Sequence, residues 1–185
     1  MLEIKNFEMK YFEDVRQVCI NTGPQKAKTD PGEKDRLLAI YCDYYCEQEP
    51  QNVFILVDEN DRAQGYIFCS ENAKEYHKKF KPYMKRVRKQ GLIACLIPWG
   101  EKVFYNFKIK KYPAHLHIDI NHEFTGNGNG TRLMQTLCEH LKSKGVCGVQ
   151  LMVSTSNTAA IRFYKRNGFK SICSVGGATA MAKEL

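Results

Sequence analysis

Several things are missing from this chain of 185 residues, and each absence narrows what it does. No apolar run approaches the roughly 20 residues of a membrane-spanning helix. The N-terminal Met1-Leu2-Glu3-Ile4-Lys5 has no apolar stretch of the signal-peptide kind. No Cys-x-x-Cys pair occurs among the eight cysteines, so neither a zinc site nor a disulfide framework is expected. Cys42 and Cys46 sit one helical turn apart, but no His or Cys pair completes a ligand set, and they read as packed thiols. Scattered free thiols suit a reducing cytoplasm, the expected compartment, and no metal and no membrane partner are expected. Internal repeats, low-complexity tracts and boundary signals are also lacking, so residues 1–185 read as a single domain long enough to bury a core.

Acidic residues are scarce in one place. Between Lys74 and Lys111 there are 12 Lys/Arg against Glu75 and Glu101, whereas the whole chain carries +8; the remainder therefore sums to −2. The run Lys74 to Lys89 interleaves its cations with aromatics. Such a run is a solvated helix face, an aid to an acidic acceptor or cofactor, or a nucleic-acid surface centred on Lys85, Arg86 and Arg88. Nucleic acid is the least expected of the three.

The stretch Thr125-Gly126-Asn127-Gly128-Asn129-Gly130-Thr131 follows a strand-like run, His115 to Ile120, and enters an amphipathic helix. Alternate glycines leave backbone N–H groups uncovered, and the helix start adds unsatisfied donors and its positive dipole end. That combination binds phosphate or pyrophosphate. A Walker-type loop would need a lysine after Gly130, and none is there. A dinucleotide fingerprint would place its third glycine one residue later and an acid about 20 residues on, where the chain instead reads Gly145 to Leu151. A ligand-free Gly/Asn turn is the remaining alternative.

About thirty residues later comes Asn157-Thr158-Ala159-Ala160-Ile161-Arg162-Phe163-Tyr164-Lys165-Arg166-Asn167-Gly168-Phe169. Asn157 is placed to cap this helix and Gly168 to end it. In these two motifs the chain resembles the GNAT superfamily of acetyl-CoA-dependent N-acetyltransferases. That family's Asn-x-x-Ala-x-x-Phe-Tyr-x-x-x-Gly-Phe helix is matched at Asn157, Ala160, Phe163, Tyr164, Gly168 and Phe169. Its Arg/Gln-x-x-Gly-x-Gly/Ala loop is matched at Gly128 and Gly130, with Thr125 where a cation or glutamine is usual. The likeness spans about residues 112–170, and Tyr112 to Ile120 also resembles the acetyltransferase-like domain attached to some O-GlcNAc hydrolases.

The resemblance implies an α/β (mixed α+β) fold of three layers, a central mixed twisted sheet of about seven strands flanked by helices. Residues 74–111 would form an inserted basic helical segment with a loop at Pro98-Trp99-Gly100. It implies that acetyl-CoA is the cosubstrate. The pantetheine arm would pair with backbone groups of Ile118 and Ile120, and the diphosphate would lie on the N–H groups of Thr125, Gly126, Asn127, Gly128, Asn129, Gly130 and Thr131. Asn157 and Tyr164 would complete the cofactor site. Tyr164 holds the position that often protonates the leaving thiolate. For the base the candidates are His117 and Asp119, which share one face of their strand with His115, Asp119 being placed to orient the imidazole; Glu71 and Cys69 are weaker ones. The partner would be an amine acceptor, whether small molecule, peptide or protein, bound to a monomer or homodimer. A CoA-binding module without transfer activity is the alternative.

Periodicity fills in the rest. It predicts strands at Leu2–Phe7, Val53–Val57, Gly65–Cys69, Ala114–Ile120, Val149–Val153, Phe169–Ser174 and Thr179–Lys183. Helices are predicted around Phe12–Cys19, from Leu37 to about Glu49, over Thr131–Lys144 and over Asn157–Asn167. Asn21 to Gly32 reads as a loop.

Overall fold

Alternation along the strands sorts side chains to two faces of one sheet. In the computed structural model, which describes residues 2–107 and 109–185, seven strands form β1 (Glu3–Asn6), β2 (Val53–Val57), β3 (Ala63–Ser70), β4 (Ala114–Ile120), β5 (Gly148–Ser154), β6 (Lys170–Val175) and β7 (Ala178–Glu184). Their order is β1-β2-β3-β4-β5-β7-β6, antiparallel except for the β4–β5 pair. Tyr66 and Phe68 of β3 enter one buried cluster with Val15, Ile40 and Tyr45. Ile67 and Leu116 enter the other, with Leu133, Leu137 and Met181. The first face is covered by α1 (Phe12–Thr22), α3 (Pro31–Tyr41) and α4 (Asp43–Gln48), the second by α8 (Asn129–Ser143) and α9 (Thr158–Arg166). The expected three layers and seven strands are therefore present.

One feature of the sheet positions everything that follows. β4 pairs with β5 only at Ala114↔Val149 and His115↔Gln150. Past that point β4 stays registered on β3 out to Ile120↔Gly65, and β5 on β7 out to Ser154↔Ala178. Each strand follows its antiparallel neighbour, and the accumulated twist opens the sheet between them. The closed end is pinned by the buried Gln150 amide, which donates to the Tyr112 and Tyr105 carbonyls at 2.6 and 3.0 Å.

Three expectations change. The predicted loop before Gly32 contains a short helix, α2 (Gln25–Thr29), and α3 begins at Pro31. Asp30 is its N-cap, accepting from the Gly32 and Glu33 N–H groups at 2.8 and 3.2 Å, so Asp30-Pro31 is helix-start chemistry and not a turn. The helix predicted to run unbroken to Glu49 is split at Cys42 (φ −142°, ψ −69°) into α3 and α4. The basic segment forms α5 (Ala73–Lys79), α6 (Lys81–Arg88) and α7 (Leu96–Phe107). Pro98-Trp99-Gly100 lies within α7, where Pro98 occupies the first turn and removes an N–H that had no intrahelical partner. Cys42 and Cys46 are both buried in the first cluster, as packed thiols.

Candidate active site

The glycine loop has the backbone its composition called for. Gly126 (φ 84°), Asn127 (φ 47°) and Gly128 (φ 76°) are three consecutive residues in the left-handed region, where glycine is tolerated and asparagine is the next best. Asn129 then starts α8 and fixes the turn: its N–H donates to the Gly126 carbonyl at 3.1 Å and its side-chain amide to the Phe124 carbonyl at 3.0 Å. Among the described residues, the N–H groups of Gly128, Gly130 and Thr131 donate to no backbone carbonyl. Free donors at the positive end of a 15-residue helix form an anion cradle. Gly130 is needed for contact, since a Cβ there would lie 3.0 Å from the Phe163 ring of α9.

The opening between β4 and β5 is a cleft of about 650 Å³. It collects nine of the expected cofactor residues: Ile118 and Ile120 from β4, Thr125, Gly126, Gly128, Gly130 and Thr131 from the loop, and Asn157 and Tyr164 from the α9 region. Asn127 and Asn129 line a neighbouring cleft instead, beside Asp58 and Arg132. Thr125 turns its hydroxyl back to the His122 carbonyl (2.7 Å). Its position brings no cation to the loop; a cation, Arg166, lines the same cleft. Sequence reasoning passed over Arg166 because a cation in the last turn of a helix is ordinary; Phe163 was expected only as a position of the helix motif and Val153 only as a strand end, and both line the cleft.

Asn157 accepts a hydrogen bond from the Ala160 N–H at 3.0 Å. Asn157→Ala is expected to cost about 1 kcal/mol of stability in urea unfolding, together with a weaker hold on any ligand of this cleft.

A smaller cleft of about 270 Å³ opens beside it, lined among others by Thr22 of α1, Tyr41 of α3, His117, and Ser154 of β5. The two clefts share four residues, Ile118, Asp119, Val153 and Tyr164. All three expected catalytic side chains are thus brought to one place. Tyr164 is 8% exposed; burial, and then the charge of Asp119, push its phenol above the ordinary value, so it stays protonated at neutral pH. Burial raises the Asp119 carboxyl to about 6, against the lowering effect of the Tyr66 hydroxyl, which donates to Oδ2 at 2.6 Å. Burial lowers His117 to about 4, leaving a neutral imidazole packed edge-on against Tyr41 with ring centroids 5.2 Å apart. Among the described residues no hydrogen bond joins Asp119 to His117; the carboxylate is held by Tyr66 instead. His115 is fully buried against Tyr45 (Nε2 to Oη 3.0 Å) and lines neither cleft. Glu71 is ion-paired with Lys144, and Cys69 is a buried thiol raised by burial; both stand away from the two clefts.

Behind the smaller cleft α7 delivers an acid that no sequence signal marked. Glu101 is 9% exposed, and its carboxylate accepts from the Tyr41 hydroxyl at 3.4 Å. Burial moves it from 4.5 to about 7, with Tyr41 pulling the other way. Between those values the folded chain holds a proton that the unfolded chain has released, so stability falls as pH rises from 4.5 to 7, by about 3 kcal/mol in full. His117 has the opposite sign, gaining stability as pH rises from 4 to 6.5. Glu101→Gln is therefore expected to gain stability over wild type progressively between pH 4.5 and 7, read from urea midpoints at a series of pH values. A constant difference would mean that Glu101 titrates normally.

Among the described residues no group of His, Cys, Asp and Glu is placed to hold a metal ion, and no helix is long and apolar enough to cross a membrane. Known proteins show parallels to this chain in sequence and in fold. An uncharacterized N-acetyltransferase of Methanocaldococcus jannaschii is 34% identical over 122 residues, 65% of this chain and 46% of that protein, so the chain spans less than half of this relative's length. N-alpha-acetyltransferase 30 of Schizosaccharomyces pombe is 25% identical over 169 residues, 91% of this chain and 84% of that one. The crystal structure of SsHAT superposes with a TM-score of 0.86 at 26% identity, covering 99% of this chain and 98% of that one. The PaiA N-acetyltransferase of Thermoplasma acidophilum in complex with coenzyme A shares the fold, with a TM-score of 0.66 at 15% identity over 100% and 99% of the two chains. The family model described as Acetyltransferase (GNAT) family matches residues 24–169, and with the loop, the split sheet and the α9 helix in place the chain belongs to that family.

Proposed function

We propose that this protein moves an acetyl group from acetyl-CoA to a primary amine by direct attack in a ternary complex. The observation that carries this reading is the meeting of two clefts at Tyr164 and Asp119. The diphosphate fits the free N–H groups of Gly128, Gly130 and Thr131 with Arg166 near, and the pantetheine arm fits along Ile118 and Ile120 as an added strand would. The amine enters the smaller cleft past Thr22, Tyr41 and His117.

Two groups with pKa values pushed apart supply acid and base. Asp119, near 6, is ionised at neutral pH and takes the proton of the incoming ammonium. The amine nitrogen then bonds to the thioester carbonyl carbon, the C–S bond breaks, and sulfur leaves with the electron pair. Tyr164 gives that sulfur its hydroxyl proton, and the second proton that the new amide nitrogen must shed returns to the Tyr164 phenolate, restoring the hydroxyl. His117 is neutral and lines the acceptor path, a positioning group. In a thiol-release assay kcat/KM is expected to rise as pH passes through about 6, and Asp119→Asn to flatten that limb; an unchanged limb in the variant would remove Asp119 as the base. Because one relative is named for α-amines, peptide N-termini are the first acceptors to screen, followed by lysine side chains and small amines.

One observation favours a second reading, a CoA-binding module without transfer activity. Thr125 is committed to the His122 carbonyl and leaves the loop without the usual cation at its start. The module would bind acetyl-CoA and release no thiol with any amine.

A further inference from the structure

Helix α7 is inside out. It buries Glu101 and Tyr105 (1% exposed) and turns apolar side chains to solvent: Leu96 at 61%, Trp99 at 65% and Val103 at 51%, with Leu92 at 83% in the turn before it. Spacings of four, three and four residues set these on one stripe, opposite Glu101. Counting Ile93, five of the seven large apolar side chains exposed among the described residues lie within 92–103, so this is a patch and not the usual scatter.

The segment that carries the stripe has unpaired charge of one sign at its exposed positions; the acids that α3 and α4 bring to it, Asp35 and Asp43, are ion-paired with Arg86. Of the two acids in residues 74–111, Glu101 is buried and Glu75 is ion-paired with Lys78 at 2.7 Å. Arg88 and Lys89 precede the stripe, Lys102 lies beside it and Lys110 follows; all four are exposed. Pairing two copies stripe to stripe would bring two segments of +10 together. Nucleic acid would meet the cations but offers nothing to Leu92, Leu96 and Val103. A surface that supplies both an apolar layer and negative charge, without needing a shaped groove, is an anionic lipid bilayer.

We propose that this face rests on an anionic membrane surface, with Leu92, Leu96, Trp99 and Val103 entering the headgroup–acyl boundary and Arg88, Lys89, Lys102 and Lys110 meeting lipid charge. Lying in the interface needs no spanning helix, so the lack of one bears only on crossing. This revises the expectation of no membrane partner.

Trp99 is the only tryptophan in the chain and is its own probe. The full chain is titrated at low salt with vesicles of phosphatidylcholine alone and of equimolar phosphatidylserine and phosphatidylcholine. The expected result is a blue shift of Trp99 emission and co-sedimentation with the anionic vesicles only, both reversed by salt. Lys89→Gln and Lys102→Gln should each weaken partitioning about fivefold. Leu96→Glu/Val103→Glu should abolish it while far-UV circular dichroism and CoA binding stay as in wild type. No shift with anionic vesicles, or an equal shift with neutral ones, overturns the proposal. So does a shift without lipid that tracks dimer formation in sedimentation, or one given only by an acidic amphipathic peptide; these would assign the face to a second copy or to a protein partner.

Discussion

Tyr164→Phe is expected to lower kcat for acetyl transfer by 10²-fold or more, the lower end of what a positioned general acid contributes. The dissociation constant of acetyl-CoA should change less than twofold. The phenol is buried where the two clefts meet, and burial with the charge of Asp119 keeps its proton on at neutral pH. A thiolate whose conjugate acid ionises near 8–9 then draws on a donor that is present in full. The substitution leaves the ring and its contact with Phe169 in place (centroids 5.7 Å apart) and removes only the hydroxyl. Stopped thiol release beside calorimetry separates the two constants. Equal losses in kcat and in binding would make Tyr164 a packing residue.

The second large effect lies in the loop. Gly128→Asp/Gly130→Asp is expected to remove CoA binding, a loss of 10²-fold or more, with the fold intact. Three causes act together. At Gly128 the φ of 76° costs a side chain about 1–2 kcal/mol, although there is open space around it. At Gly130 a Cβ would press on Phe163 at 3.0 Å. Two carboxylates would stand where the cradle is built for an anion. Gly128→Ala, which carries strain but no charge, should lose far less; a loss equal to that of the aspartates would mean that the loop's shape alone decides binding.

The contrast between these two sites explains how much of the protein was legible in its sequence. The cradle depends on local backbone chemistry, and Gly126-Asn127-Gly128-Asn129-Gly130 states it in consecutive residues. The ends of two strands were legible for the same reason: Val53–Val57 is a continuous apolar run and Ala114–Ile120 alternates, and the structure gives both the same ends, while the other five shift by one or two residues. What escaped depends on residues far apart in sequence. Tyr66 takes the Asp119 carboxylate that was expected to orient His117, across 53 positions. Glu101 reaches Tyr41 across 60. The break at Cys42 interrupts a pattern that looks continuously helical. Asp30-Pro31-Gly32 carries the residues of a turn and of a capped helix alike, and the helix that follows decides between them.

The most direct test of the account is acceptor-dependent thiol release by the wild-type protein. Acetyl-CoA is supplied with peptide N-termini, lysine peptides and small amines in turn, and the acetylated product is identified by mass spectrometry. The expected result is release of CoA thiol in step with acetylation of one of these amine classes. Tight binding of acetyl-CoA with no thiol released above the acceptor-free rate, for any amine, would contradict transfer and leave a CoA-binding module.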